Sequence, residues 1–176
     1  MSGLRAEGGT EGKGTGLVCR NCKKVFTLDT LGRLIDESGN ALHIPDLYEA
    51  ERRSVRKEIE DGGYLLDTEV DIGIMVDYKA IYMVGCGRLI HNSEGFTLTG
   101  CGGKLDYRQS PLSSYSLYSD YCWYEIGDVI CIGDNDILYD CFPKEKNVVA
   151  KTRLAAEELY KLKKAELRSA LLSNLT

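Results

Sequence analysis

Two hydrophobic periods divide the chain. From Tyr64 to Phe142 apolar residues recur at every second position, most cleanly where Val70, Ile72, Ile74 and Val76 alternate with Glu69, Asp71, Gly73 and Asp77. That period predicts strands with one face on a core and the other toward water. "GRLIHNSEGFTLTG" predicts a hairpin turning at Asn92-Ser93-Glu94-Gly95. "KLDYRQ", "SYSLYSDYCWY", "DVICIG" and "DILYDCF" continue the series, with turn signals at Pro111, Gly127 and Asp134-Asn135 between them.

Helical patterns flank this region. "HIPDLYEAERRSVRKEIEDGG" places Pro45 in a first turn, acids Asp46, Glu49 and Glu51 early, and bases Arg52, Arg53, Arg56 and Lys57 later. Gly62-Gly63 ends it. Tyr48, Val55 and Ile59 make a narrow apolar stripe. The basic cluster is expected to be a solvated face with Glu49–Arg53 and Arg56–Glu60 pairs, a docking surface for acidic partners being the other reading. A second helix is expected over Val148 to Leu172, with Val148, Ala155, Leu159 and Leu162 on one side and its bases weighted to the later half.

Four segments follow. Residues 1–16 are glycine-rich and without period, expected to be flexible or weakly ordered. Residues 17–40 form a partial zinc-ribbon-like unit with a short hairpin turning at Gly32, and residues 41–63 a linker helix. Residues 64–176 hold about seven short strands and the terminal helix. The fold class expected is α+β: an antiparallel pleckstrin-homology-like (PH-like) β-barrel or sandwich closed by a long C-terminal helix, which shields apolar side chains from water.

Charge narrows the partners. The net charge of −5 is uneven: residues 64–143 carry 4 basic and 12 acidic side chains, and residues 144–176 carry 8 and 4. The acidic middle argues against a nucleic-acid surface there and against strong attraction to anionic lipid. No apolar run reaches the roughly 18–20 residues of a membrane span, and Met1–Gly16 has no signal-peptide core. A cytoplasmic protein is expected.

Cysteine carries the sharpest chemical signal. Seven cysteines without a secretory signal favour reduced thiols. Cys86, Cys101, Cys122, Cys131 and Cys141 sit singly and read as small buried hydrophobes. Cys19 and Cys22, in "VCRNCKK", have the C-x-x-C spacing whose turn aims two thiolates at one metal ion. A closed zinc site needs four ligands, and the chain has no second C-x-x-C. The pair is half a site, and zinc is the cofactor it would take.

Other candidates have structural readings. "TGCGGKL" lacks the P-loop pattern and reads as a tight turn. His43 precedes a helix and reads as a capping or packing residue, while His91, beside the hairpin turn, is expected to face solvent. Neither has a nucleophile partner, and no H-x-x-x-x-D acyltransferase signature occurs. Tyr115, Tyr118, Tyr121, Trp123 and Tyr124 alternate and are expected to pack on both faces of a strand. Lipid-headgroup binding would call for bases in the first hairpin of the barrel, where Asn-Ser-Glu-Gly is expected.

"LVCRNCKKVF", "LGRLI", "HIPDLYEAERRSVRKEIEDGGY", "EGFTLTG", "PLSSYS" and "CFPKEKNVVAKTRLAAEELYKL" together resemble the C-terminal accessory region of bacterial lysophospholipid acyltransferases (1-acyl-glycerol-3-phosphate acyltransferase-like proteins). The similarity runs from about Leu17 to Lys163, and the start "HIPDLYEAER" and ending "LAAEELY" are its more specific pieces. In that family a preceding domain carries the catalytic histidine and aspartate, and two C-x-x-C knuckles are usual; here the second knuckle is matched. The resemblance implies a non-catalytic accessory domain in phospholipid biosynthesis. Its partners would be the acyltransferase domain, in the same polypeptide or complex, and the inner membrane surface. The alternatives are a PH-like protein-interaction module without lipid binding and, against the charge argument, a zinc-dependent nucleic-acid module.

Overall fold

A computed structural model describes residues 10–13, 16–19, 23–76, 80–134 and 136–173. Cys22, Asp77 and Asn135, named above, lie outside the described residues.

The described residues begin with five short strands: β1 (Thr10–Lys13), β2 (Gly16–Cys19), β3 (Val25–Leu28), β4 (Leu34–Ile35) and β5 (Ala41–Leu42), paired in chain order as an antiparallel meander. β1 lies in the stretch expected to be flexible, yet Thr10–Lys13 pairs with Cys19–Gly16. Backbone hydrogen bonding, which needs no apolar period, makes that strand.

Two later turns of this sheet share one device. In "DTLGR" the Asp29 carboxylate accepts the N–H groups of Leu31 (2.9 Å) and Arg33 (2.8 Å), and in "DESGN" Asp36 accepts those of Ser38 (2.9 Å) and Asn40 (2.8 Å). Gly32 and Gly39 take φ of +74° and +80°, a region glycine enters without a steric penalty. The local pattern D-x-x-G-x thus fixes both turns.

Helix α1 (Ile44–Glu60) follows, with Pro45 in its first turn and Val55 buried. Seven strands come next: β6 (Leu66–Val76), β7 (Ala80–Asn92), β8 (Gly95–Gly100), β9 (Leu105–Gln109), β10 (Tyr118–Trp123), β11 (Gly127–Gly133) and β12 (Leu138–Pro143). A short 3-10 turn, Cys101–Gly103, sits where "TGCGGKL" predicts a tight turn. Helix α2 (Val149–Ser173) ends the described chain.

The second sheet runs β10-β11-β12-β6-β7-β8-β9, antiparallel throughout. It is two meanders joined where β12 pairs with β6. β9 and β10 are its two edges, so the sheet does not close into the barrel expected as one form of the fold. The coarser expectation, α+β with antiparallel sheet and a C-terminal helix, holds.

One face of this sheet builds the main core. Val70, Ile72, Leu89, Leu98, Ile130 and Ile132 are all essentially inaccessible, and Val149 and Ala156 of α2 pack into the same cluster. Each such aliphatic side chain stabilises the fold by about 1.5–3 kcal/mol. Gly87 and Gly100 face each other across β7 and β8, and a Cβ on Gly87 would lie 2.2 Å from the Thr99 carbonyl oxygen. A second cluster joins Val55 of α1 and Tyr64 to Leu154, Ala155 and Leu159 of α2. A third occupies the opposite face of the sheet, where Trp123 packs against Val129, Cys131 and Phe142.

Only the first part of α2 is embedded. Its buried residues run from Val149 to Leu159, and every residue from Lys164 to Ser173 is exposed. Among the described residues no helix is long and apolar enough to cross a membrane.

Candidate functional site

The thiol pair is reached first along the chain. Cys19 is the last residue of β2, opposite Thr10. Among the described residues no three His, Cys, Asp or Glu side chains are grouped so as to hold a metal ion. The Cys19 side chain, like the whole of Cys22, lies outside the described residues.

His91 reverses its expectation. It is 1% exposed, its Nδ1 lies 2.9 Å from the Tyr64 hydroxyl, and its ring stacks on Phe96 with centroids 3.7 Å apart. Parity explains the reversal. Leu89 points into the core, so His91, two residues on, points the same way and pairs with Leu66 and Phe96 on the flanking strands. Burial holds its pKa down at about 3, so the imidazole is neutral. The adjoining cavity, between His91, Ser114, Ser116 and Ala156, measures about 10 Å³, room for one water. A neutral, packed imidazole over so small a space fixes structure.

The five single cysteines divide. Cys131 and Cys141 are buried as expected, and burial pushes both thiols up. Cys86 and Cys122 are exposed, against expectation, and Cys101 is half-buried. Cys86 shares with Asp71 the sheet face turned from α2, and Cys122 sits at φ +54° where the β10–β11 register shifts. Cys131 donates to Asp140 Oδ1 at 3.0 Å. Asp140 Oδ2 and the Trp123 indole N–H are buried with no hydrogen-bond partner among the described residues. Sequence gave one signal for this cluster, an aspartate inside an apolar strand.

The tyrosines also depart from two-sided packing. Leu117 is buried, but Tyr115, Tyr118, Tyr121 and Tyr124 are each half or more exposed. β10 is an edge strand whose register shifts between Asp120 and Trp123, and among the described residues no further strand pairs with it. Tyr115 meets Tyr160 of α2 edge-on at 5.4 Å. Lys161 Nζ lies 6.0 Å from the Tyr115 ring centre, and Lys164 Nζ 5.4 Å from that of Tyr160. This cation–aromatic rim leads directly onto the exposed half of α2.

Other bases are already engaged. A groove of about 410 Å³ between β6 and β7 contains Arg88 and Lys144. Arg88 is bidentate on Asp67 (2.5 and 2.7 Å), and Lys144 pairs with Asp71. Neither cation is left to an incoming anion. The first hairpin of the large sheet is β6–β7, whose connecting residues 77–79 lie outside the described residues, and Asn92-Ser93-Glu94-Gly95 is the second.

The basic cluster of α1 splits as well. Arg56 pairs with Glu60 at 2.9 Å as expected, while Arg53 Nε donates to the Glu49 carbonyl rather than its carboxylate. Arg52 turns to α2, placing Nη1 2.7 Å from Glu157 and 2.9 Å from Glu158. The acidic partner of this helix is the chain's own C-terminal helix. Burial works against charging Arg52, but hydrogen bonds to Glu158 and Glu157 outweigh it and raise its pKa.

Compared with known proteins, the chain matches no family model, no curated protein and no solved structure.

Proposed function

We propose that the chain is a non-catalytic accessory module of a phospholipid-biosynthesis acyltransferase, with a PH-like arrangement of its seven strands and terminal helix. It would work beside the acyltransferase domain at the inner membrane face. The observation that carries this reading is the clamp between the two most specific pieces of the resemblance. "HIPDLYEAER" is the start of α1 and "LAAEELY" the embedded turns of α2, and Arg52 of the first binds Glu157 and Glu158 of the second. Residues that serve to lock a linker helix onto a folded body suit a spacer or regulator. The burial of His91 supports the same reading, since a neutral packed imidazole has no access to a substrate. In this reading Cys19 and Cys22 are one knuckle of a ribbon, and zinc held there would take its other ligands from another copy, from solvent or from a distant cysteine.

The test is acyl transfer from acyl-CoA or acyl carrier protein to lysophosphatidic acid by this chain alone. Transfer no faster than the protein-free control is expected, and turnover lost on mutating a residue of this chain overturns the reading. A protein-interaction module without lipid contact is the second reading, favoured by the acidic excess of residues 64–143. Vesicle binding separates the two.

A further inference from the structure

We infer that the projecting half of α2 is a docking surface for an anionic lipid bilayer. The inference rests on the membrane-face part of the function proposed above, and names the segment and the lipid chemistry.

The residues fall into rows. Positions four apart lie one above another on a helix, so Lys163, Leu167 and Leu171 form one row, and Tyr160, Lys164, Arg168 and Leu172 the next. Together these rows hold every base and every leucine from residue 163 to 173. The remaining side carries Ala165, Ser169 and Ser173, with Glu166 at the border, paired to Lys163 at 3.2 Å. Leu167, Leu171 and Leu172 are 51%, 57% and 57% exposed. The sheet ends before it reaches them, so the apolar strip has no partner within the described residues.

Bases beside leucines, with tyrosines at the upper edge, are the composition of a helix that lies in a membrane interface. Leucines enter the acyl boundary, lysine and arginine stems extend to the headgroups, and tyrosine rings sit at headgroup level. Tyr115 and Tyr160 occupy that position, with Lys161 and Lys164 over their rings. Charge selects the lipid. The strip bears three bases, and the strands behind it are strongly acidic, so an anionic surface attracts the helix while repelling the sheet and thereby sets orientation. A second copy of the chain suits the strip less well. The exposed segment Lys164–Ser173 is about 15 Å long, against the three to four heptads of a coiled coil, and two copies would bring like charges together.

The test is co-sedimentation of the full chain with vesicles of phosphatidylcholine alone and of phosphatidylcholine with 30% phosphatidylserine, about 0.3 mole fraction chosen to give a substantial surface potential. Binding to the anionic vesicles, weakened at high salt, is expected. Leu167→Glu with Leu171→Glu, or Lys164→Glu with Arg168→Glu, should lower it by about tenfold or more. All four sites are exposed, and unchanged thermal unfolding checks that the variants fold. Equal binding to both vesicles, or variants that bind like the parent, overturns the inference. A dimer in sedimentation equilibrium that the leucine variants dissociate overturns it in favour of a second copy. Failure to bind vesicles counts against the membrane-face part alone and favours the protein-interaction reading, whereas the non-catalytic claim fails separately, on acyl transfer by the chain.

Discussion

Arg52 of α1 and Glu158 of α2 are 106 residues apart in sequence and 2.9 Å apart in space, with the Glu158 side chain 2% exposed. Lys161 holds the same carboxylate at 2.6 Å. Burial pushes this carboxyl up, but hydrogen bonds from Lys161 and Arg52 more than offset it and hold its pKa below the usual value. The pair sits beside the apolar contact of Val55 with Leu154 and Leu159.

Arg52→Met should therefore destabilise the protein by about 3 kcal/mol, because two buried carboxylates lose their shared cation. Adding Glu157→Gln and Glu158→Gln should recover most of that loss, since no buried carboxylate is then left without its cation and the Lys161 and Arg153 side chains freed by the change reach water. Urea midpoints of the single and triple variants check this. A triple variant no more stable than Arg52→Met would show that packing of the arginine stem is what matters.

His91 predicts an acid response. Its folded pKa, about 3, is below the ordinary histidine value, so the unfolded chain takes up the proton first. Its stability contribution is complete above about pH 6.5 and is lost as pH falls toward 3. Between pH 6.5 and 5, above the carboxylate range, the loss should be about 1.5 kcal/mol. His91→Gln should flatten that stretch of the stability profile whatever its effect at neutral pH. An unchanged slope would mean that the imidazole is protonated in the fold.

Asp140 predicts the opposite slope. Burial raises its pKa, with the Cys131 hydrogen bond lowering it in part, so the folded state holds the proton more tightly. Stability is then highest below the ordinary carboxylate range and declines as pH rises through the raised folded value. Asp140→Asn should match the parent at pH 3.5 and exceed it in melting temperature at pH 8. Equal melting temperatures at both would show that Oδ2 is well solvated.

Gly87→Ala should cost at least about 2 kcal/mol, because the new methyl group meets the Thr99 carbonyl, which belongs to a paired strand and cannot yield. Gly127→Ala is the control. A Cβ there meets nothing within 4 Å, and a change within about 0.5 kcal/mol is expected.

The kinds of element were legible in the residues. Period two gave the strands from Leu66 to Pro143, Pro45 and Gly62-Gly63 bracketed α1, and the apolar spacing from Val148 located α2. The candidate surface was half legible: bases weighted to the later part of α2 were visible, but leucines at helical spacing look the same whether a core covers them or not.

Facing was decided by tertiary structure. Alternation puts Leu89 and His91 on one side of β7, yet only the approach of α2 and Tyr64 makes that side the interior. The tyrosines of β10 alternate as two-sided packing would, and stay exposed because no further strand among the described residues pairs with that edge. Arg52 looks like its neighbours Arg53 and Arg56 in sequence, and contact with a helix more than 100 residues away sets it apart. Local sequence determined backbone period and turns, because those interactions span a few residues. Which surfaces became core, edge or projecting helix depended on long-range packing, where burial of whole layers outweighs any local preference.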